Sequence, residues 1–199
     1  MTAPGFLDVP EHTSDAQQLF DDDLDEVGFV MNVSRRWAYQ PATIAGLFDL
    51  IRTQIGVLDL DVRQRGIVIA ACASTLGDSY CALAWGAKLA EAADEPTASG
   101  VLRGTDAGLS TPERAMAGWA RAVARDPNAT TAADVQALRD AGFGDEQIFA
   151  ITVFVALRLA FSTVNDALGA LPDAQFRTLV PAGVIDAITY GRPIDHFAM

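Results

Sequence analysis

Residues 61–93 read as two helices turned on one glycine, and this stretch constrains the fold more than any other. Asp61 is placed to cap a helix that runs to about Gly77. The centre of that helix, Ile67-Val-Ile-Ala-Ala-Cys-Ala, is apolar on every side. A helix without a polar face must be surrounded by other elements. Gly77 supplies the stop, and Asp78 is placed to accept from the first free amides of a second helix reaching about Ala93. The expectation is a tight antiparallel pair at the middle of an all-α protein.

The rest of the chain supplies helices to cover that pair. A short acidic helix is expected over Asp15–Glu26, with Leu19, Phe20 and Leu24 inward. Pro41 opens a better one, where Ile44, Leu47, Phe48 and Ile51 share a face. A Gly/Thr/Ser/Pro-rich stretch from Asp94 to Gly108 holds one short helix around Thr97–Arg103. Thr111-Pro112-Glu113 and Thr131 start two more, with Asp134 completing an imperfect capping box at the second. A long helix follows over about Asp145–Leu168, with a stripe of Ile148, Ile151, Val155, Leu159 and Ser162 and an opposite side that is also largely apolar. Such a helix is either core or subunit interface. The tail, with Pro172, Pro181 and Pro193, reads as an irregular arm with one short helix near Val184–Tyr190, suited to pack on a neighbouring subunit. The organisation is therefore an acidic N-terminal arm (1–30), a helical domain (31–171) and a C-terminal arm (172–199).

Charge narrows the partners. Asp plus Glu number 26 against 14 Lys plus Arg, a net charge of −12. Phosphate and anionic lipid both repel such a surface, so neither nucleic acid nor membrane is expected. The first residues carry no basic start and no apolar stretch, and the apolar run Ile148–Phe161 contains Arg158 and falls short of the ~20 residues a bilayer needs. A cytoplasmic location follows as the expectation. Asn32-Val-Ser and Asn128-Ala-Thr match glycosylation sequons, which carry no meaning without secretion.

Five segments, in order, carry a resemblance. They are Asn32 with its aromatic-basic continuation and Pro41-Ala-Thr-Ile-Ala; Leu60-Asp-Val-Arg-Gln-Arg; Gly77-Asp-Ser-Tyr-Cys-Ala-Leu-Ala-Trp; Leu109-Ser-Thr-Pro-Glu-Arg through Trp119-Ala-Arg; and Asp140-Ala-Gly-Phe-Gly-Asp-Glu-Gln-Ile. Together they resemble the alkylhydroperoxidase D-like, or carboxymuconolactone decarboxylase, family. The branch they look most like is the one called uncharacterised peroxidase-related. The resemblance spans about residues 20–170. It implies an all-α bundle whose subunits assemble through the central helices as a dimer, trimer or hexamer.

Active members of that family carry a glutamate, eleven residues, Cys-x-x-Cys, and a histidine four residues after the second cysteine. Here those positions fall on Gly66, Asp78, Cys81 and Trp85. One of the four is kept. A dithiol peroxidase needs one thiolate to attack the O–O bond, a second thiol to resolve the sulfenic acid, and a base to take the first proton. Asp78 resolves nothing, and Gly66 and Trp85 move no protons at pH 7.

Cys81 is the remaining catalytic candidate. The start of a helix favours a thiolate, while Asp78 on the same face opposes one and Trp85 stands where a relay would. The competing reading is a small buried thiol packed on Trp85. Asp78 is either a helix cap or a carboxylate lining a small pocket with Tyr80 and Trp85. Cys72 lies six residues past Gly66, roughly 240° around the helix, and reads as core. Trp37, Trp85 and Trp119 read as core or interface aromatics. His12 and His196 lie near the termini, away from any central site. Asp21, Asp23 and Asp25 begin a calcium-loop spacing that fails at Glu26 and Asn32. No metal or cofactor is expected.

The leading expectation is a family member without the dithiol relay, retained as a homo-oligomer that binds a small apolar ligand where the old site stood, between the helices at 61–77 and 79–93. A one-cysteine peroxidase using Cys81 on a hydroperoxide is the alternative. Lactone decarboxylation stands behind both, because the His or Glu it would need in the central pocket is not visible.

Overall fold

The computed structural model describes residues 5–11 and 13–196. No strand occurs among them. The helices are α1 (Ser14–Val27), α2 (Asn32–Trp37), α3 (Pro41–Leu58), α4 (Val62–Leu76), α5 (Ser79–Ala92), α6 (Glu95–Arg103), α7 (Thr111–Arg125), α8 (Ala132–Asp140), α9 (Asp145–Ala167), α10 (Phe176–Leu179) and α11 (Ala182–Ala187).

Local chemistry sets the central boundaries. The Asp61 carboxylate accepts from the Gln64 amide at 2.7 Å, and Gln64 answers by accepting from the Asp61 amide at 3.1 Å. That reciprocal cap starts α4. Gly77 ends it at φ 79°, a left-handed conformation that glycine adopts without strain. Asp78 then caps α5, accepting from the Cys81 amide at 2.9 Å.

Every residue of α4 from Gly66 to Ala73 is buried, so this helix is the axis of the bundle. α5 lies against one side and α7 against another. The α4–α5 contact is tight at Gly66, where an added Cβ would stand 2.9 Å from the Leu89 Cβ. On the α7 side, Arg63 Nε meets Glu113 Oε1 at 2.6 Å. Glu113 also closes the capping box with Ser110 that starts α7. The segments Leu60–Arg65 and Leu109–Arg114, each at the start of a helix, are thus clipped together in space.

α9 packs on α3, α4 and α7. Its length and composition are those of a bilayer-crossing helix, but its middle is core and holds the buried Arg158. It is not covered all round, as its sequence suggested. Phe149 is 72% exposed, and Ala156 and Ala160 are open on the same side. One apolar face fills the bundle and the other is left at the surface.

The remaining differences lie in the less regular segments. α6 begins at Glu95, earlier than expected, because Asp94 caps it by accepting from Thr97 at 2.6 Å. The tail holds two short helices where one was expected. It folds back on its own bundle: Val184 is fully buried beside Gly86, where a Cβ would sit 2.6 Å from Val184 Cγ1. Apolar residues at 176 and 184 find cover within the chain, and this draws the tail inward.

Candidate functional site

A cleft of about 700 Å³ opens beside α5, bounded by α1, α3, α9 and α10. Its inner wall is apolar, formed in part by Ile44, Phe48, Ile69, Phe154 and Phe161. Its rim carries charges of both signs, with Asp22, Asp23 and Glu26 from α1 and Arg52, Arg65 and Lys88 from α3, α4 and α5. Volume and lining fall in the range of small-molecule sites.

Cys81 lies on the inner wall, as the third residue of α5. It is 2% exposed. Arg158 Nη2 donates to its Sγ at 3.5 Å and Ser162 Oγ donates at 3.6 Å. Burial pushes the thiol well above its usual pKa, and the negative charge of Asp78 pushes it further. Arg158 and Ser162 act the other way and do not offset this. The sulfur is therefore a protonated thiol at pH 7 despite its helix-start position.

Asp78 is completely buried. The cap geometry holds one carboxylate oxygen on the first turn of α5, and Asp78 is not among the residues lining this cleft. Its Oδ2 has no hydrogen-bond partner among the described residues. Its charge is felt by Asp166, which is raised to about 7 by burial and then by Asp78.

Tyr80 does line the cleft, but its hydroxyl is committed, donating to the Asp173 carboxylate. The other Asp173 oxygen accepts from the Asn32 amide at 2.8 Å. Burial raises Asp173 to about 6. Trp85 is half-buried on the wall, with Lys88 Nζ 5.2 Å and the Arg158 guanidinium carbon 5.8 Å from its ring centroid. Trp37 and Trp119 are buried, donating to Asn165 at 2.9 Å and Thr152 at 3.0 Å.

Gly66 is not brought to the cleft. It faces Leu89 across the α4–α5 contact, which leaves no room for a longer side chain. Cys72 is turned toward α7, its Sγ 4.0 Å from the Ala120 carbonyl, and burial raises it to about 12. His196 lies in a separate hollow of about 540 Å³ near Ser79 and Tyr190. His12 lies outside the described residues. Among the described residues no group of three or more His, Cys, Asp or Glu is placed to hold a metal.

Two side chains around the sulfur were not anticipated as site residues, Arg158 and Ser162. Arg158 carried a signal: it is the one charge inside the most apolar stretch of the sequence. Ser162, one turn on, carried none.

No family model matches the chain, and no curated protein matches it. Solved structures do. The chain is similar to an uncharacterised peroxidase-related protein from Silicibacter sp. TM1040, with 22% identity, a TM-score of 0.79, and coverage of 89% of this chain and 96% of that one. It is also similar to an uncharacterised peroxidase-related protein from Ralstonia eutropha JMP134, described as an alkylhydroperoxidase AhpD core, with 25% identity, a TM-score of 0.74, and coverage of 88% and 96%. The fold is the alkylhydroperoxidase D-like fold.

Proposed function

We propose that this alkylhydroperoxidase D-like chain lacks the dithiol peroxidase relay and serves as a scaffold holding a small apolar molecule in the cleft beside Cys81. The observation that carries the reading is the setting of that sulfur. It is a protonated thiol at the end of an apolar cleft, with no second thiol and no described histidine on the cleft wall. A dithiol cycle needs a thiolate, a resolving thiol and a proton acceptor together. The apolar inner wall is suited to a guest that buries hydrocarbon surface. Homo-oligomerisation belongs to the same reading. The open side of α9, with Phe149, and the exposed Leu50 and Val57 of α3 offer apolar surface for a second copy.

Two measurements test it. With cumene hydroperoxide and dithiothreitol, turnover should not exceed that of Cys81→Ser. The neutral dye N-phenyl-1-naphthylamine should bind saturably, and Ala84→Trp, which fills the cleft from its wall, should abolish binding while helical content is kept. Cys81-dependent turnover, or dye binding indifferent to Ala84→Trp, overturns the reading.

The position of Arg158 favours one other reading. A cation 3.5 Å from Cys81 is what a one-cysteine peroxidase would use to hold a thiolate. In that cycle the thiolate sulfur attacks the distal peroxide oxygen, the O–O bond breaks, the alcohol leaves with a proton, and the sulfenic acid is reduced by two equivalents of an external thiol. Turnover with a monothiol that is lost in Cys81→Ser selects it.

A further inference from the structure

Arg158 is a buried cation without a counter-ion among the described residues. It is 3% exposed, yet lines the cleft. Among the described residues no carboxylate lies within ion-pair distance of its guanidinium. Among the described residues its Nε has no hydrogen-bond partner, and Nη2 reaches only the weak acceptor Cys81 Sγ. The rings of Phe161 and Trp85, with centroids 5.0 and 5.8 Å from its central carbon, give partial compensation. A buried charge is ordinarily paired, and arginine's planar fork matches a carboxylate with two parallel hydrogen bonds.

Resting on the reading of the cleft as a small-molecule site, we infer that its ligand is an amphiphile with one carboxylate. The head sits on the Arg158 guanidinium, and the hydrocarbon tail lies along Phe48, Ile69 and Phe154. The contact to the Cys81 sulfur is weak enough to yield to a carboxylate oxygen. One cation at depth matches one carboxylate. Arg158 is the cation that touches the sulfur, and the cleft lining nearer the surface carries both signs, Asp22, Asp23 and Glu26 with Arg52, Arg65 and Lys88. A dianionic phosphate would meet a single positive charge at depth. The tail has the apolar inner wall.

Calorimetric titration of the full chain at pH 7.5 with decanoate and with decan-1-ol tests the inference. Wild type is expected to bind decanoate at least tenfold more tightly. Arg158→Met keeps the side-chain bulk and removes the charge, and should bring the two ligands to equal affinity. Arg158→Lys keeps the charge without the fork and should fall between, so it carries the test should the Met variant not fold. Ala84→Trp should abolish both. Equal wild-type affinities, or decanoate binding untouched by Ala84→Trp, overturn the carboxylate anchor and leave the apolar cleft standing. Binding of neither ligand, together with loss of saturable dye binding, overturns the cleft reading as well.

Discussion

The carboxylate of Asp78 holds the amide of Cys81 at 2.9 Å and, from the same position, suppresses the thiolate of that residue. The first effect begins α5, and the second adds to burial in holding the thiol above its usual range. Asparagine caps a helix about as well as aspartate and carries no charge. Asp78→Asn should therefore leave the helix intact and lower the Cys81 pKa. Removing one unit of pKa shift means about a tenfold larger thiolate fraction at pH 8. Iodoacetamide alkylation of the native protein, followed against pH, checks this. An unchanged profile would mean that the carboxylate does not control the thiol.

Gly66 should resist replacement. A Cβ there meets the Leu89 Cβ at 2.9 Å, where α4 and α5 are both buried. Alanine would gain ~1 kcal/mol in helix propensity, against about 1–3 kcal/mol for overpacking. Gly66→Ala is expected to lower the midpoint of thermal unfolding, and Gly66→Glu to lower it further without creating peroxidase activity. A rise in either midpoint would show that the helices separate freely.

The Asp166 carboxyl sits above its ordinary range in the folded chain, at about 7, because of burial and the charge of Asp78. A raised folded-state pKa stabilises the fold fully below the unfolded value near 3.8. That contribution fades as pH rises through about 7. Asp166→Asn should therefore raise the unfolding midpoint at pH 8 relative to wild type and change it little at pH 4. A benefit equal at both pH values would locate the effect in packing.

Glu113 behaves oppositely. Burial raises it, but hydrogen bonds from Arg63 and Ser110 outweigh that, and the net shift is downward. Its contribution is present above the ordinary glutamate value and is lost as pH falls through the lower folded one. Glu113→Gln should lower stability by about 1 kcal/mol at pH 7. The deficit should shrink on acidification, as read by urea unfolding at pH 7 and pH 3.

The legible part of the fold was the part with local causes. Asp61, Gly77 and Asp78 mark helix ends through hydrogen bonds spanning three to five residues, and the sequence shows them directly. The carboxylate–thiol proximity was legible for the same reason, since three residues on a helix start must meet. What stayed hidden depended on distant partners. Nothing near Asp173 announces that it serves both Asn32 and Tyr80, and nothing near Gly66 announces Leu89. Arg158 was visible as an oddity, but its placement on Cys81 comes from the packing of α9, 77 residues away. The outer face of α9 misled because apolarity alone does not say which side is inward.

The seam joining Asn32, Tyr80 and Asp173 also bears on synthesis. The α4–α5 pair joins neighbouring stretches of chain, the kind of contact that closes early in synthesis. Asn32 and Tyr80 wait 141 and 93 residues for the carboxylate that satisfies them. Until it arrives, the wall that carries Tyr80 lacks its last polar partner. The bundle axis thus rests on contacts close in sequence, and the finished cleft wall on a carboxylate supplied near the end of the chain.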